Sequence, residues 1–137
     1  MPSWHSYSVR VLEAALPVAF VSTTDPDRAL AFYRGTLGLT FVADEGFALV
    51  FDLAGTMLRL TRVDELAPRP FTVLGWRVAD VEAAAAALAS RGVAFERYPG
   101  HEQDGLGIWR SPSGARVAWF RDPDGNVLSI ASYGAGG

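Results

Sequence analysis

Cysteine is absent from the 137 residues, and histidine occurs only at His5 and His101. The first absence excludes disulfides, thiolate metal sites and a cysteine nucleophile. The second leaves two imidazoles for any proton transfer or metal ligation. A basic excess is also missing: the formal net charge is -3, so no cationic surface is expected for nucleic-acid binding. No apolar run approaches the ~20 residues needed to span a bilayer. Residues 1–15 lack the cationic patch and apolar run of a signal peptide, so the cytoplasm is the expected compartment. What is present is a globular composition, 50% hydrophobic and 20% charged, enough for one domain or two small modules sharing a core.

The chain repeats itself. Pro17 to Val21 reads as a strand, Asp25 as a helix N-cap with Pro26 as first helical residue, and Arg28 to Tyr33 as helix before a stop at Gly38. Shifted by 55 positions, Val73 to Val78 reads as a strand, Asp80 as a cap, Val81 to Ser90 as an alanine-rich helix and Gly92 as its stop. Shifted by 70, the hairpin around Asp52 to Gly55 returns around Asp122 to Gly125. The change of offset marks an insertion of 15 residues within Tyr98 to Ser113. Each half therefore predicts strand, helix and about three strands. The divisions are an N-terminal extension at 1–16, a module at 17–66, a Pro-rich linker at 67–70, a second module at 71–133 and a flexible tail at 134–137.

Three ordered motifs carry a family resemblance. They are Asp25-x6-Phe32-Tyr33-x3-Leu37-Gly38-Leu39, then Val78-x-Asp80-Val81-x-Ala83 through Arg91-Gly92-Val93, then Asp122-Pro123-Asp124-Gly125-Asn126-x-Leu128. Together they resemble the vicinal oxygen chelate superfamily of glyoxalases, bleomycin resistance proteins and extradiol dioxygenases, from about Pro17 to Tyr133. The resemblance implies an α+β fold of paired βαβββ modules forming an incomplete eight-stranded barrel around a pocket. In metal-using members, the first and last strand of each module give one ligand each, and the matching positions here are Val18, Arg59, Val73 and Ser129. Two valines have no lone pair, a guanidinium repels a cation and a lone serine hydroxyl is a poor ligand. Neither a metal nor any other cofactor is expected.

Strand alternation predicts the pocket face. It takes Val18, Phe20 and Ser22 with Val73, Gly75 and Arg77 from the first strands. From the last strands it takes Met57, Arg59 and Thr61 with Val127, Ser129 and Ala131. Hairpin symmetry about Asp124 adds Trp119 beside Ser129. Phe20, Met57, Arg59, Arg77, Trp109, Trp119 and Ser129 are the candidate ligand-binding residues. Arg59 and Arg77 suit a carboxylate or phosphate, or else they reach the rim and pair with acids. Phe20, Met57 and Trp119 read more readily as core than as ligand contacts, although the core and pocket faces can coincide. The inserted segment from Tyr98 to Trp109 concentrates His101, Glu102, Gln103 and Asp104, so His101 with Glu102 or Asp104 is the candidate acid–base group. The same segment also reads as a loop closing over a ligand, as a simple solvated loop or, least favoured, as a metal site. His5, beside Trp4 and Tyr7, is expected at the surface or in a dimer contact.

These residues favour metal-independent binding of a small molecule, of the sequestration or resistance type, with an anionic or neutral aromatic ligand. A lyase or dioxygenase using the 98–109 loop, with a metal or by acid–base chemistry, is the alternative, so whether the chain is an enzyme stays open. A purely structural role comes last. Open sheet edges predict a homodimer; no nucleic-acid or membrane partner is expected.

Overall fold

In a computed structural model of the chain, residues 11–134 are described; His5 and the tail residues 135–137 lie outside them. The first module begins with β1 (Val18–Thr23) and runs into α1, an α-helical turn at Pro26–Leu30 that widens into a π-helical segment at Ala31–Thr36. Asp25 caps it, its carboxylate accepting from the Arg28 N–H at 3.2 Å, with Pro26 in the first turn where no N–H is needed. Then come β2 (Thr40–Asp44), β3 (Ala48–Leu53) and β4 (Thr56–Arg62). The second module repeats the plan with β5 (Thr72–Arg77), α2 (Val81–Ser90), β6 (Trp109–Arg110), β7 (Ala115–Arg121) and β8 (Val127–Tyr133). Asp80 caps α2 in the same way, through the Ala83 N–H at 3.0 Å.

Two four-stranded mixed sheets result, ordered β1-β4-β3-β2 and β5-β8-β7-β6, and neither closes into a barrel. The first and last strand of each module are parallel and the remaining pairs antiparallel. This is an α+β fold of paired modules, in keeping with an incomplete barrel. No helix among the described residues is long and apolar enough to cross a membrane.

The repeat breaks at one place. After Gly92 the sequence predicts a strand from Val93, matching β2. Instead the edge beside β7 is split: Phe95 bridges Phe120 and the Glu96 N–H reaches the Trp119 carbonyl, while β6 pairs with Val117 and Arg116. The insertion leaves the sheet between these two footholds, so a single edge strand became two fragments with a loop between them.

One core serves both sheets. Leu58, Leu60, Phe51, Leu128, Ile130 and Phe120 project from the strands toward Ala29, Tyr33, Val81 and Ala85 of the helices, all at 5% exposure or less. The Tyr33 ring lies 6.1 Å from Phe51 of its own module, and Phe32 lies 6.5 Å from Phe120 of the other. The closing hairpin then locks the modules together. The buried Asp122 carboxylate accepts from the Tyr33 hydroxyl at 2.6 Å and from the Asn126 N–H and side-chain amide at 2.9 Å each, and that amide also donates to the Ser22 carbonyl. Asp124 accepts from both Thr23 and Thr24 of the first module. Every buried polar group here has a partner, as burial requires. The Asp-Pro-Asp-Gly-Asn stretch is thus a clasp between modules.

Candidate functional site

The faces turned away from the helices are formed by the alternate residues of each strand. In the first sheet, register sets Val18 beside Met57 and Phe20 beside Arg59, with Val50 next in the Arg59 row. In the second it sets Gly75 beside Ser129 and Ser129 beside Trp119. The first face leaves much apolar surface in solvent, with Phe20 62% and Met57 42% exposed.

At the four positions that the family resemblance assigns to metal ligands, this chain has Val18, Arg59, Val73 and Ser129. Arg59 is committed elsewhere: its guanidinium donates to the Glu45 carboxylate at 2.8 Å and lies 5.8 Å from the centre of the Phe47 ring. Among the described residues no three His, Asp or Glu side chains converge as a metal site would need. The donor set does not fit a divalent cation.

Arg59 is held by Glu45 from the β2–β3 turn, while Arg77 pairs in register with Ala131 on the same face as Gly75 and Ser129. The sequence-level alternative, a rim arginine paired with an acid, describes Arg59.

The inserted loop is ordered by its own polar groups. Gln103 accepts from the Tyr98 N–H and donates to the Glu96 and Gly107 carbonyls, each at 2.8 Å. The Asp104 carboxylate accepts from the Leu106 and Ile108 N–H groups at 2.9 Å each, and Arg97 donates to the Asp104 and Gly105 carbonyls. Gly107 sits at φ +90°, where a Cβ would lie 2.8 Å from that of Phe95. Only glycine fits there.

This bracing folds three rings onto Trp119 of β7. Tyr98, His101 and Trp109 have ring centres 5.3, 5.7 and 5.9 Å from the Trp119 ring, and His101 lies 4.9 Å from Trp109. Such tilted and edge contacts suit the ring quadrupoles. Beside the cluster is a hollow of about 510 Å³, lined by Phe71, Thr72, Tyr98, His101, Trp119 and Val127. Burial, and after it the nearby Glu96 carboxylate, pushes the Tyr98 hydroxyl above its ordinary value and keeps it a neutral donor.

Of the candidate residues, His101 and Trp119 line this hollow and Trp109 backs it. Met57 borders a separate hollow of about 330 Å³ with Val18, Val50 and Asp52. Glu102 and Asp104 open elsewhere, onto a recess shared with Arg110 and Arg116, so His101 is not oriented by either acid. Tyr98 and Phe71 were not singled out from sequence. Tyr98 opens the insertion and Phe71 follows the Pro-Arg-Pro linker, which were the available signals.

A family model described as the glyoxalase/bleomycin resistance protein/dioxygenase superfamily matches residues 15–130. No curated protein matches the chain significantly. Among solved structures, a superfamily member from Sphaerobacter thermophilus is 27% identical over 87% of this chain and 97% of its own, with a TM-score of 0.69. One from Nocardioides is 19% identical over 98% and 95%, with a TM-score of 0.67. A structure titled lactoylglutathione lyase, from Agrobacterium tumefaciens, is 21% identical over 87% and 93%, with a TM-score of 0.64.

Proposed function

The chain belongs to the glyoxalase/bleomycin resistance protein/dioxygenase superfamily, and from that premise we propose that it binds a small, planar, uncharged aromatic molecule without a metal. The observation that carries this reading is the inserted loop, which brings Tyr98, His101 and Trp109 onto Trp119 beside a hollow of about 510 Å³. That volume lies within the range of small-molecule sites, which are mostly apolar and oriented by few polar groups. Sequence alone left anionic and neutral ligands open. The Glu45 partner of Arg59 removes one cation from consideration and favours the neutral ligand. Tyr98 and His101 supply the orienting hydrogen bonds.

Sequestration rather than turnover follows from what surrounds His101. An orienting acid would favour a general-base role, and Glu102 and Asp104 line another recess instead. The exposed Phe20 and Met57 of the first sheet belong, in this reading, to a cytoplasmic homodimer in which a second copy covers them.

Intrinsic tryptophan fluorescence, titrated with quinoline, indole and 2-naphthol, tests the ligand class. Saturable quenching is expected for the native chain, with loss of at least about tenfold in affinity for Trp119→Ala and Tyr98→Ala, the scale of an aromatic contact plus its buried area. Equal binding by native and variant proteins would refute it. So would elemental analysis giving about one Zn, Ni, Fe or Mn per chain.

A further inference from the structure

A second hollow lies on the opposite side of the second sheet, among the helices. Its volume is about 300 Å³, and both modules line it. Trp76, Phe120 and Ile130 form the floor, Leu88 of α2 one wall, and Leu37 and Leu39 after α1 the other. It exists because α2 presents Ala84 and Ala87 toward it, methyl groups where longer side chains would reach the floor. None of the aromatic cluster around Trp119 takes part. Trp119 and Phe120 point to opposite faces of the same strand, so one sheet separates the two hollows.

The rim carries a cation: Arg91 stands at the C-terminal end of α2, beside the hollow. No carboxylate is among the described residues that line it. The Arg91 guanidinium donates to the Thr36 carbonyl at 3.0 Å. This bond ties α2 to the end of α1, with a neutral acceptor that leaves the guanidinium its charge. Beside an apolar bed, the planar donor fork of a guanidinium suits a carboxylate or sulfonate head group. The volume is at the small end of the ~300–1,000 Å³ typical of ligand sites, which limits the occupant to a short molecule.

We propose that this groove is a second ligand site, selective for a small amphipathic anion: an aryl or medium-chain carboxylate or sulfonate. The apolar body lies on Trp76, Phe120 and Leu88, and the head group meets Arg91. Its chemistry is the reverse of that of the hollow beside Trp119, whose lining includes no arginine among the described residues.

The probe is 8-anilinonaphthalene-1-sulfonate, whose fluorescence rises on apolar contact, titrated into the full chain with octanoate and 1-octanol as competitors. One saturable site per chain is expected. Octanoate should displace the probe, and octanol should do so at least about tenfold less well, the scale of one hydrogen bond to a charged group. Arg91→Gln should weaken the probe by a similar factor. Ala87→Phe, a change on an exposed helix position, should abolish binding by filling the groove. Trp119→Ala should leave it within about twofold, since that side chain points to the opposite face of the sheet. Far-UV circular dichroism checks that each variant is folded, and if Arg91→Gln fails to fold, Ala87→Phe and the octanoate–octanol comparison still decide. Octanol competing as well as octanoate would overturn the anionic assignment. Unchanged binding in Arg91→Gln and Ala87→Phe, loss of binding in Trp119→Ala, or no saturable site would overturn the groove itself.

Discussion

Replacing Tyr33 with Phe removes a single hydroxyl from the clasp between modules and leaves the ring packing intact. Tyr33 is fully buried, and its hydroxyl donates to the Asp122 carboxylate at 2.6 Å. A hydrogen bond to a charged group contributes ~1.5–3 kcal/mol. Asp122 keeps its bonds from Asn126 and from the Asp124 N–H, so the carboxylate is not orphaned and the lower half of that range applies. A loss of about 1.5–2 kcal/mol should lower the melting temperature by roughly 5–10 °C in a chain of this size. Urea unfolding followed by circular dichroism measures it. A double-mutant cycle with Asp122→Asn then isolates the pairwise part. There is also an alkaline signature. Burial, then the charge of Asp122, raises the Tyr33 hydroxyl far above its ordinary value. The unfolded chain therefore loses this proton first, and the wild-type stability due to it is complete below pH ~10 and declines above. Tyr33→Phe should lack that decline. A loss under about 0.5 kcal/mol, no larger than that of an ordinary surface substitution, would refute the reasoning.

Three further outcomes follow from the same geometry. Gly107→Ala forces a side chain into φ +90° and against Phe95; a loss of about 2 kcal/mol or more is expected, with weaker binding of aromatic probes, and native stability would show that the loop does not need this turn. Burial would raise the Asp124 carboxyl, but hydrogen bonds from Thr23 and Thr24 and the charge of Arg28 bring it below its ordinary value. Its contribution is therefore present above pH ~4 and lost as pH falls through the lower folded value, so the melting-temperature gap between wild type and Asp124→Asn should close below pH ~4; a gap independent of pH would count against this. Arg59→Leu breaks a half-exposed ion pair with Glu45 and should cost under ~1 kcal/mol while leaving neutral aromatic probes bound as before; marked loss of those probes would return Arg59 to the ligand site.

The fold was legible because its signals are local and come twice. Asp25 and Asp80 stand at equivalent places before their helices, and the two Asp-x-x-Gly hairpins share a spacing, so hydrogen bonds within a few residues of each aspartate suffice to fix each element. Alternation likewise put Trp119 beside Ser129 and Phe20 beside Arg59, because a pleated strand leaves no choice of face once its register is set. The donor-poor set of Val18, Arg59, Val73 and Ser129 came instead from the family resemblance, which assigns metal ligands to those positions. Other features depend on how distant segments meet, and only the tertiary structure decided them. Glu45 reaches Arg59 from a neighbouring turn, Tyr33 finds Asp122 across 89 positions, and the insertion divides an edge strand that the repeat had predicted whole. His101, Glu102 and Asp104 are close in sequence and were read as one chemical group. In the loop, His101 joins the aromatic rings while Asp104 binds backbone N–H groups. Regular structure repeats its geometry and can be counted along a sequence; a loop's path is set by what it packs against.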